Sequence, residues 1–325
     1  MKVSILGVGS YVPPRKLTNL DLQKMVDTSD EWIVERTGIR ERYVAESQVA
    51  TSDLGVEAAR LALSQSRVGI DEIDLLVVST MTPDMLSPST ACIVQTKLGA
   101  SRAACFDISA ACSGSVYAMD VAKKFLESGQ YKRALVIGAE KLSSIVDWTD
   151  RGTCILFGDG AGAAVLGPGD QGHEIVGICL GADGSGQDAL KIPAGGSLIP
   201  ASRKSVDEGL HFIQMDGKEV YERAIDMMTR ISVQTLRYCS LSVEDIALFI
   251  PHQANKRIID SVAKKMGLPP EKVFVNVDRY GNTSAASIIL AIDDAARQQR
   301  IKRGQKVLVA VFGAGFTWGG AVIQW

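Results

Sequence analysis

Apolar runs broken by short clusters of glycine and small polar residues recur along the chain, and the period of the polar positions separates strand from helix. Val3 to Tyr11 predicts a first strand with a glycine-rich end. Its Gly7-x-Gly9 lacks the third glycine and the following helix of a dinucleotide loop. Thr28-Ser29-Asp30-Glu31 is a capping signal that opens one or two helical turns and stops at Gly38. Ser52 to Ser66 reads as an amphipathic helix, Ile73 to Thr80 as a buried β-branched strand, and Ser89 to Leu98 as a helix ended by Gly99. Phe106-Asp107-Ile108 then runs into Ser109-Ala110-Ala111-Cys112-Ser113-Gly114 and a helical pattern to Leu126, which predicts a strand-to-helix elbow at Cys112. A strand over Arg133 to Ala139, glycine-rich turns at 150–153 and 157–162, and a strand over Ala163 to Leu166 complete this half.

The same plan then repeats. A strand over Ile175 to Leu180, a Gly/Pro/Ser-rich excursion to Ser205 and a helix from Lys218 to about Tyr238 lead into Val243 to Ile250, which echoes 69–77. Val273 to Val277 followed by Gly281-Asn282-Thr283-Ser284-Ala285-Ala286-Ser287 parallels the strand and elbow of Cys112, and Gln305 to Phe312 parallels 133–139. The offset stays at about 170 residues, so the pattern predicts an internal duplication, with halves 1–170 and 171–325. Alternating strands and helices predict an α/β fold with a mostly parallel sheet covered by helices.

Composition narrows the function classes. With 46% apolar residues in 325, the chain can bury a large core, and a net charge of −2 gives no global attraction to nucleic acid or membrane. The six cysteines show no C-x-x-C spacing, which argues against a zinc site or a disulfide framework and for reduced thiols in a cytoplasmic protein. The apolar run at the N-terminus ends at Pro13-Pro14 and reads as a strand, not a signal peptide, and no stretch reaches transmembrane length.

Four places can carry chemistry. Cys112 at a helix N-terminus would be favoured as thiolate by unpaired N–H groups and the helix dipole, against the plainer reading of a small core residue. His252, one of three histidines, directly follows a strand, where open α/β sheets place ligands. Phe312-Gly313-Ala314-Gly315 is a turn whose N–H groups could hold an oxyanion. Trp32 and Arg36 share a helix face and could stack on an adenine and pair with a phosphate.

These motifs, together with Asp150-Arg151-Gly152-Thr153, Phe157-Gly158-Asp159-Gly160-Ala161-Gly162 and Pro251-His252-Gln253-Ala254-Asn255, resemble those of the β-ketoacyl-acyl-carrier-protein synthase III family in order and over essentially the whole chain. The resemblance implies a thiolase-like, five-layered αβαβα fold from two duplicated halves with mixed, mostly parallel sheets, working as a homodimer. It implies condensation of an acyl-CoA primer with malonyl-acyl-carrier protein, with no cofactor because acyl-CoA is a substrate, and with no metal. Residue by residue, it makes Cys112 the acylated nucleophile, His252 and Asn282 the pair that holds the enolate oxygen, and the N–H groups of Cys112 and Gly315 an oxyanion hole. It places CoA at Thr28, Trp32, Arg36, Arg151 and Asn255, carrier docking at Arg257, Lys264 and Lys265, and the end of the acyl pocket at Ser87, reached across a dimer interface.

Three departures bear on specificity: Tyr221-Glu222-Arg223 where many members have Phe-Lys, Ser115 where an aromatic is common, and Ser87 where some members place a bulky gate. Asn282 in the third role argues against elongation synthases, which use Cys-His-His, and thiolases, which use Cys-His-Cys. A primer synthase or acyltransferase of a specialised, polyketide-like pathway shares the motifs. A silent partner subunit of a heterodimer is disfavoured, because Cys112, His252 and Asn282 are all present.

Overall fold

The computed structural model describes residues 2–169 and 172–325, so the expected boundary between 170 and 171 lies outside the described residues. Among the described residues, nine strands form the main sheet: β1 (Val3–Tyr11), β2 (Leu75–Ser79), β3 (Ala104–Ile108), β4 (Ala134–Glu140), β5 (Gly160–Pro168), β6 (His173–Ala182), β7 (Ile246–Pro251), β8 (Lys306–Gly313) and β9 (Thr317–Gln324). The principal helices are α1 (Asp30–Thr37), α2 (Thr51–Ser66), α3 (Thr90–Leu98), α4 (Gly114–Glu127), α5 (Gly217–Tyr238), α6 (Lys256–Lys265) and α7 (Ser287–Arg297). The strand order is β7-β8-β9-β6-β1-β5-β4-β2-β3, and among the described residues the centre joins through Ser4↔Glu174 and Ile5↔His173. Reading inward from either edge gives the two halves of the duplication.

The continuous apolar strands are explained by burial on both faces. Leu75, Val77, Val136, Val307 and Val309 point into a central core with Val116 and Met119 of α4 and Ile288 and Ile292 of α7. Their neighbours Leu76, Val78, Leu135 and Ile137 face a second core under α2 and α3. Leu308, Ala310 and Phe312 face a third, under α5 and α6. Helices outside, sheet, helices between, sheet and helices outside make the five layers, and α4 and α7, the two helices that follow the elbows, share the middle one.

Two expectations need correction. Among the described residues, three of the eight pairings in the main sheet are parallel, so the sheet is mixed but not mostly parallel. One reason is that β9 follows β8 through a tight turn, which permits only an antiparallel return. The second is the segment 273–277, which forms no strand beyond a single bridge, Phe249↔Val273. The N–H groups of Asn276 and Val277 both donate to Gln253 Oε1, at 2.8 and 3.1 Å, where a strand would have used a neighbouring carbonyl. The chain turns instead into the short helix Val277–Tyr280.

Candidate active site

The two elbows meet at the middle layer. Single 3₁₀ turns, Ala111–Ser113 and Ser284–Ala286, open α4 and α7, and each starts on a residue with positive φ, Ala111 at 48° and Ser284 at 47°. The Ser115 hydroxyl donates to the Ala285 carbonyl and ties the elbows together. This contact gives Ser115, where an aromatic was the familiar residue, a structural place. Cys112, His252 and Asn282, drawn from three separate segments, line one cavity of about 100 Å³ together with Tyr221, Asn255 and Gly313.

Cys112 is 7% exposed, and burial pushes its thiol up to about 12; the Ser284 hydroxyl beside it pulls downward and the Glu140 carboxylate pushes further up. The thiolate expected at this helix N-terminus is therefore opposed by lost solvent and a nearby carboxylate, both of which favour the thiol.

His252 follows Pro251 at the carboxyl end of β7, where its N–H donates to Ala310 O at 2.8 Å. Its Nδ1 lies 2.9 Å from Ser287 Oγ, which also accepts the Gln253 N–H at 2.9 Å. The arrangement that uses every proton has the serine hydroxyl donating to Nδ1, which leaves the hydrogen on Nε2. Nε2 is buried and has no partner among the described residues. Burial lowers the imidazole to about 4, so the ring is neutral near pH 7.

Asn282 is fixed on both sides of its backbone, donating to Leu156 O at 2.8 Å and accepting from Gly158 N–H at 3.0 Å. Its Oδ1 accepts the Ser284 N–H at 2.8 Å, so the NH₂ end of the carboxamide is the one left for the cavity. The site thus presents one thiol and two uncharged N–H donors on the wall of one small cavity.

The other expected residues fall in three groups. In the coenzyme group, the guanidinium of Arg151 lies 4.8 Å and that of Arg36 5.8 Å from the Trp32 ring, and Asn255, which lines the cavity, donates to Arg36 O at 3.1 Å. Thr28 precedes Ser29, the cap of α1, and its buried hydroxyl has no partner among the described residues. In the basic group, Arg257, Lys264 and Lys265 are all exposed on α6, and Arg257 lies 5.6 Å over the Tyr221 ring, which reaches the same cavity. The remaining two residues do not line the Cys112 cavity. Gly315 lines an adjoining cavity with Ala110 and Ala111, whereas Gly313 is the glycine of that turn set against the nucleophile: a Cβ there would come 2.7 Å from Cys112 N. Ser87 is exposed in the turn before α3, beside Leu86 at 87% exposure, and lies on the surface of its own chain.

Sequence reading missed Glu140, Ser284 and Ser287. The signal was present for the first: a single acidic residue ends the apolar strand β4, and a charge in a strand buried on both faces needs a reason. The two serines were hidden in a run of small residues that looked like elbow packing. Among the described residues, no group of three His, Cys, Asp or Glu side chains could hold a metal ion, and no helix is long and apolar enough to cross a membrane.

Comparison with known proteins agrees with this geometry. Residues 106–184 match the family 3-oxoacyl-[acyl-carrier-protein (ACP)] synthase III, and residues 236–325 match its C-terminal family. The β-ketoacyl-[acyl-carrier-protein] synthase III of Caldanaerobacter subterraneus subsp. tengcongensis is 53% identical over 321 residues, covering 99% of this chain and 97% of the relative. The crystal structure of 3-oxoacyl-[acyl-carrier-protein] synthase III from Aquifex aeolicus VF5 superimposes with a TM-score of 0.92 at 43% identity, covering 99% of this chain and all of that one. The priming β-ketosynthase of the R1128 polyketide biosynthetic pathway has a TM-score of 0.91 at 38% identity, covering 99% of this chain and 95% of that one. With elbows, cavity and full-length likeness in agreement, the chain belongs to the β-ketoacyl-acyl-carrier-protein synthase III family of thiolase-fold acyltransferases.

Proposed function

We propose that this enzyme starts type II fatty-acid synthesis on Cys112, which takes an acyl group from acyl-CoA and passes it to the two-carbon unit of malonyl-acyl-carrier protein. The Cys112 sulfur forms the new thioester as the bond to CoA sulfur breaks, and the thiol proton leaves with CoA. Malonyl-carrier protein then loses CO₂, and the resulting enolate carbon attacks the acyl-Cys112 carbonyl to release β-ketoacyl-carrier protein and the free cysteine. The observation that carries this reading is the convergence of Cys112 with two neutral donors, His252 Nε2–H and the Asn282 NH₂ group, on one cavity. Neutral donors stabilise an enolate oxygen without protonating the reacting carbon.

The Cys112 N–H and the N–H groups of the turn at 313–315, Gly315 among them, serve the tetrahedral oxyanions. Trp32, Arg36, Arg151, Asn255 and Thr28 hold CoA at the rim, with the adenine stacked among Trp32 and its two guanidinium groups. Arg257, Lys264 and Lys265 dock the acidic carrier protein. The working form is a cytoplasmic homodimer built from the halves 1–170 and 171–325, and it uses its substrates without a resident cofactor. Ser87 enters the acyl pocket of the second subunit, consistent with its exposure in a single chain. A primer synthase of a specialised pathway would run the same chemistry on the same residues and differ in the primer.

The test separates the half-reactions. Incubation with acyl-CoA followed by peptide mapping should find the acyl group on Cys112, and His252→Ala or Asn282→Ala should slow malonyl decarboxylation by about 10² to 10³ while leaving acylation largely intact. An acyl group on Cys154 or Cys92, or mutants that acylate poorly and decarboxylate normally, would overturn the assignment.

A further inference from the structure

A fully buried guanidinium lies under the site, and no step of the condensation uses it. Arg42, in the short strand Glu41–Tyr43, has no exposed surface, and its three hydrogen bonds among the described residues go to neutral acceptors. Nη1 donates to Leu17 O at 3.2 Å and to Asn19 Oδ1 at 2.8 Å, and Nη2 donates to Ile155 O at 2.6 Å. Its Nε is buried with no partner among the described residues. A guanidinium buried on neutral acceptors costs more than an apolar side chain of the same volume, so stability does not account for it. What it supplies is a planar fork that fixes several acceptors at once.

We infer that Arg42 is a positioning residue for Asn282, acting through the two turns that hold the asparagine. This rests on the reading of Asn282 as a holder of the enolate oxygen. Ile155, gripped by Nη2, directly precedes Leu156, whose carbonyl accepts the Asn282 N–H at 2.8 Å, and the Gly158 N–H donates to Asn282 O at 3.0 Å. Both turns lie against the Arg42 stem: a Cβ on Gly158 would come 3.0 Å from Arg42 Cβ, and one on Gly281 3.1 Å. The next residue closes the clamp, since Tyr43 O accepts the Asp159 N–H at 2.8 Å and the Tyr43 ring stacks on Tyr280 at 5.8 Å.

The other side of the fork is anchored in the coenzyme group. Asn19, which accepts from Nη1, donates through its amide to Ile39 O at 2.8 Å and to Oδ1 of Asp30, the first residue of α1, at 2.8 Å. The guanidinium therefore spans from the helix that carries Trp32 and Arg36 to the segment under Asn282. Cys112 and His252 have supports of their own, the elbow of α4 for the one and the Ser287 hydroxyl for the other. Releasing the segment 155–158 thus moves the Asn282 carboxamide and leaves nucleophile and imidazole in place.

A double-mutant cycle on the two half-reactions tests positioning against a general structural role. In the intact enzyme, Arg42→Met should slow malonyl decarboxylation by about 10², while acylation of Cys112 at saturating acyl-CoA stays within about threefold of wild type. In an Asn282→Ala background the same substitution should change decarboxylation by less than about threefold, because the donor it positions is already gone. Asn19→Ala keeps the guanidinium and removes one of its anchors, so it decides the question if Arg42→Met does not fold. Its loss, about tenfold in decarboxylation, should likewise vanish beside Asn282→Ala. Losses that multiply in the double mutants, a folded Arg42→Met enzyme that decarboxylates at the wild-type rate, or equal losses in both half-reactions would overturn the positioning role and leave the reading of Asn282 intact. Normal decarboxylation by Asn282→Ala alone would overturn both.

Discussion

The neutral His252 makes a claim about pH that reaches both activity and stability. Burial alone holds its imidazole at about 4 in the folded protein, against 6.5 in the unfolded chain. The folded state therefore resists protonation that the unfolded state accepts, so stability is full above 6.5 and declines as pH falls toward 4. Between about pH 7 and 5 the loss from this one residue is about 2 kcal/mol, obtained by integrating the linkage between the two pKa values. Every other titrating group contributes as well, so the comparison is with His252→Gln, which keeps a polar side chain of similar reach but cannot take the proton. Urea unfolding at the two pH values should show wild type losing about 2 kcal/mol more than the variant. In the same window, malonyl decarboxylation by the pre-acylated enzyme should hold its rate, because the Nε2–H donor is unchanged until the ring protonates. Equal stability losses in the two proteins, or a decarboxylation rate that falls through an inflection near 6.5, would show a solvated imidazole and refute the tautomer argument built on Ser287.

Gly313→Ala would set a Cβ 2.7 Å from the Cys112 backbone nitrogen, and the displaced nucleophile should acylate about 10²-fold more slowly in a protein that still folds; acylation kinetics at wild-type rate would show that the turn gives way instead. Charge reversal at Arg257 or Lys264 should raise the KM for malonyl-carrier protein and its salt sensitivity with little change for acyl-CoA, since both cations are exposed on α6 and act over about 8 to 10 Å. Equal losses with both substrates would count against a docking role. Ser87 leaves the acyl pocket of a neighbouring subunit open, so primers longer than acetyl should be accepted, each methylene adding about 0.8 kcal/mol, and Ser87→Phe should shift preference toward acetyl-CoA; a wild-type enzyme restricted to acetyl-CoA would refute this.

Most of the fold was legible because the strands carry apolar residues on both faces and the duplication repeats them. The pattern around Leu75 to Val78 and Val307 to Val311 demands helices on each side of a sheet, and those helices are where the pattern put them. The segment 273–277 was misread for a reason that hydropathy does not encode. Val273, Phe274 and Val275 have strand chemistry, but the partner that ends the strand is a side-chain amide, Gln253, more than twenty residues earlier. Ladder or side chain is settled by tertiary geometry, and propensity favours the ladder.

The site divides along the same line. Cys112, His252, Asn282 and Trp32 stand out by residue type and by position at the ends of strands or on a short capped helix, and local sequence is enough to nominate them. Their protonation states are set elsewhere. Whether Cys112 rests as thiol or thiolate depends on solvent loss and on Glu140, an acid 28 positions along the chain; the tautomer of His252 depends on Ser287, and the orientation of Asn282 on the N–H of Ser284. The helix dipole is a local property of the chain and could be read from sequence, so it was credited with making the thiolate. Burial is a property of the assembled layers and acts against it.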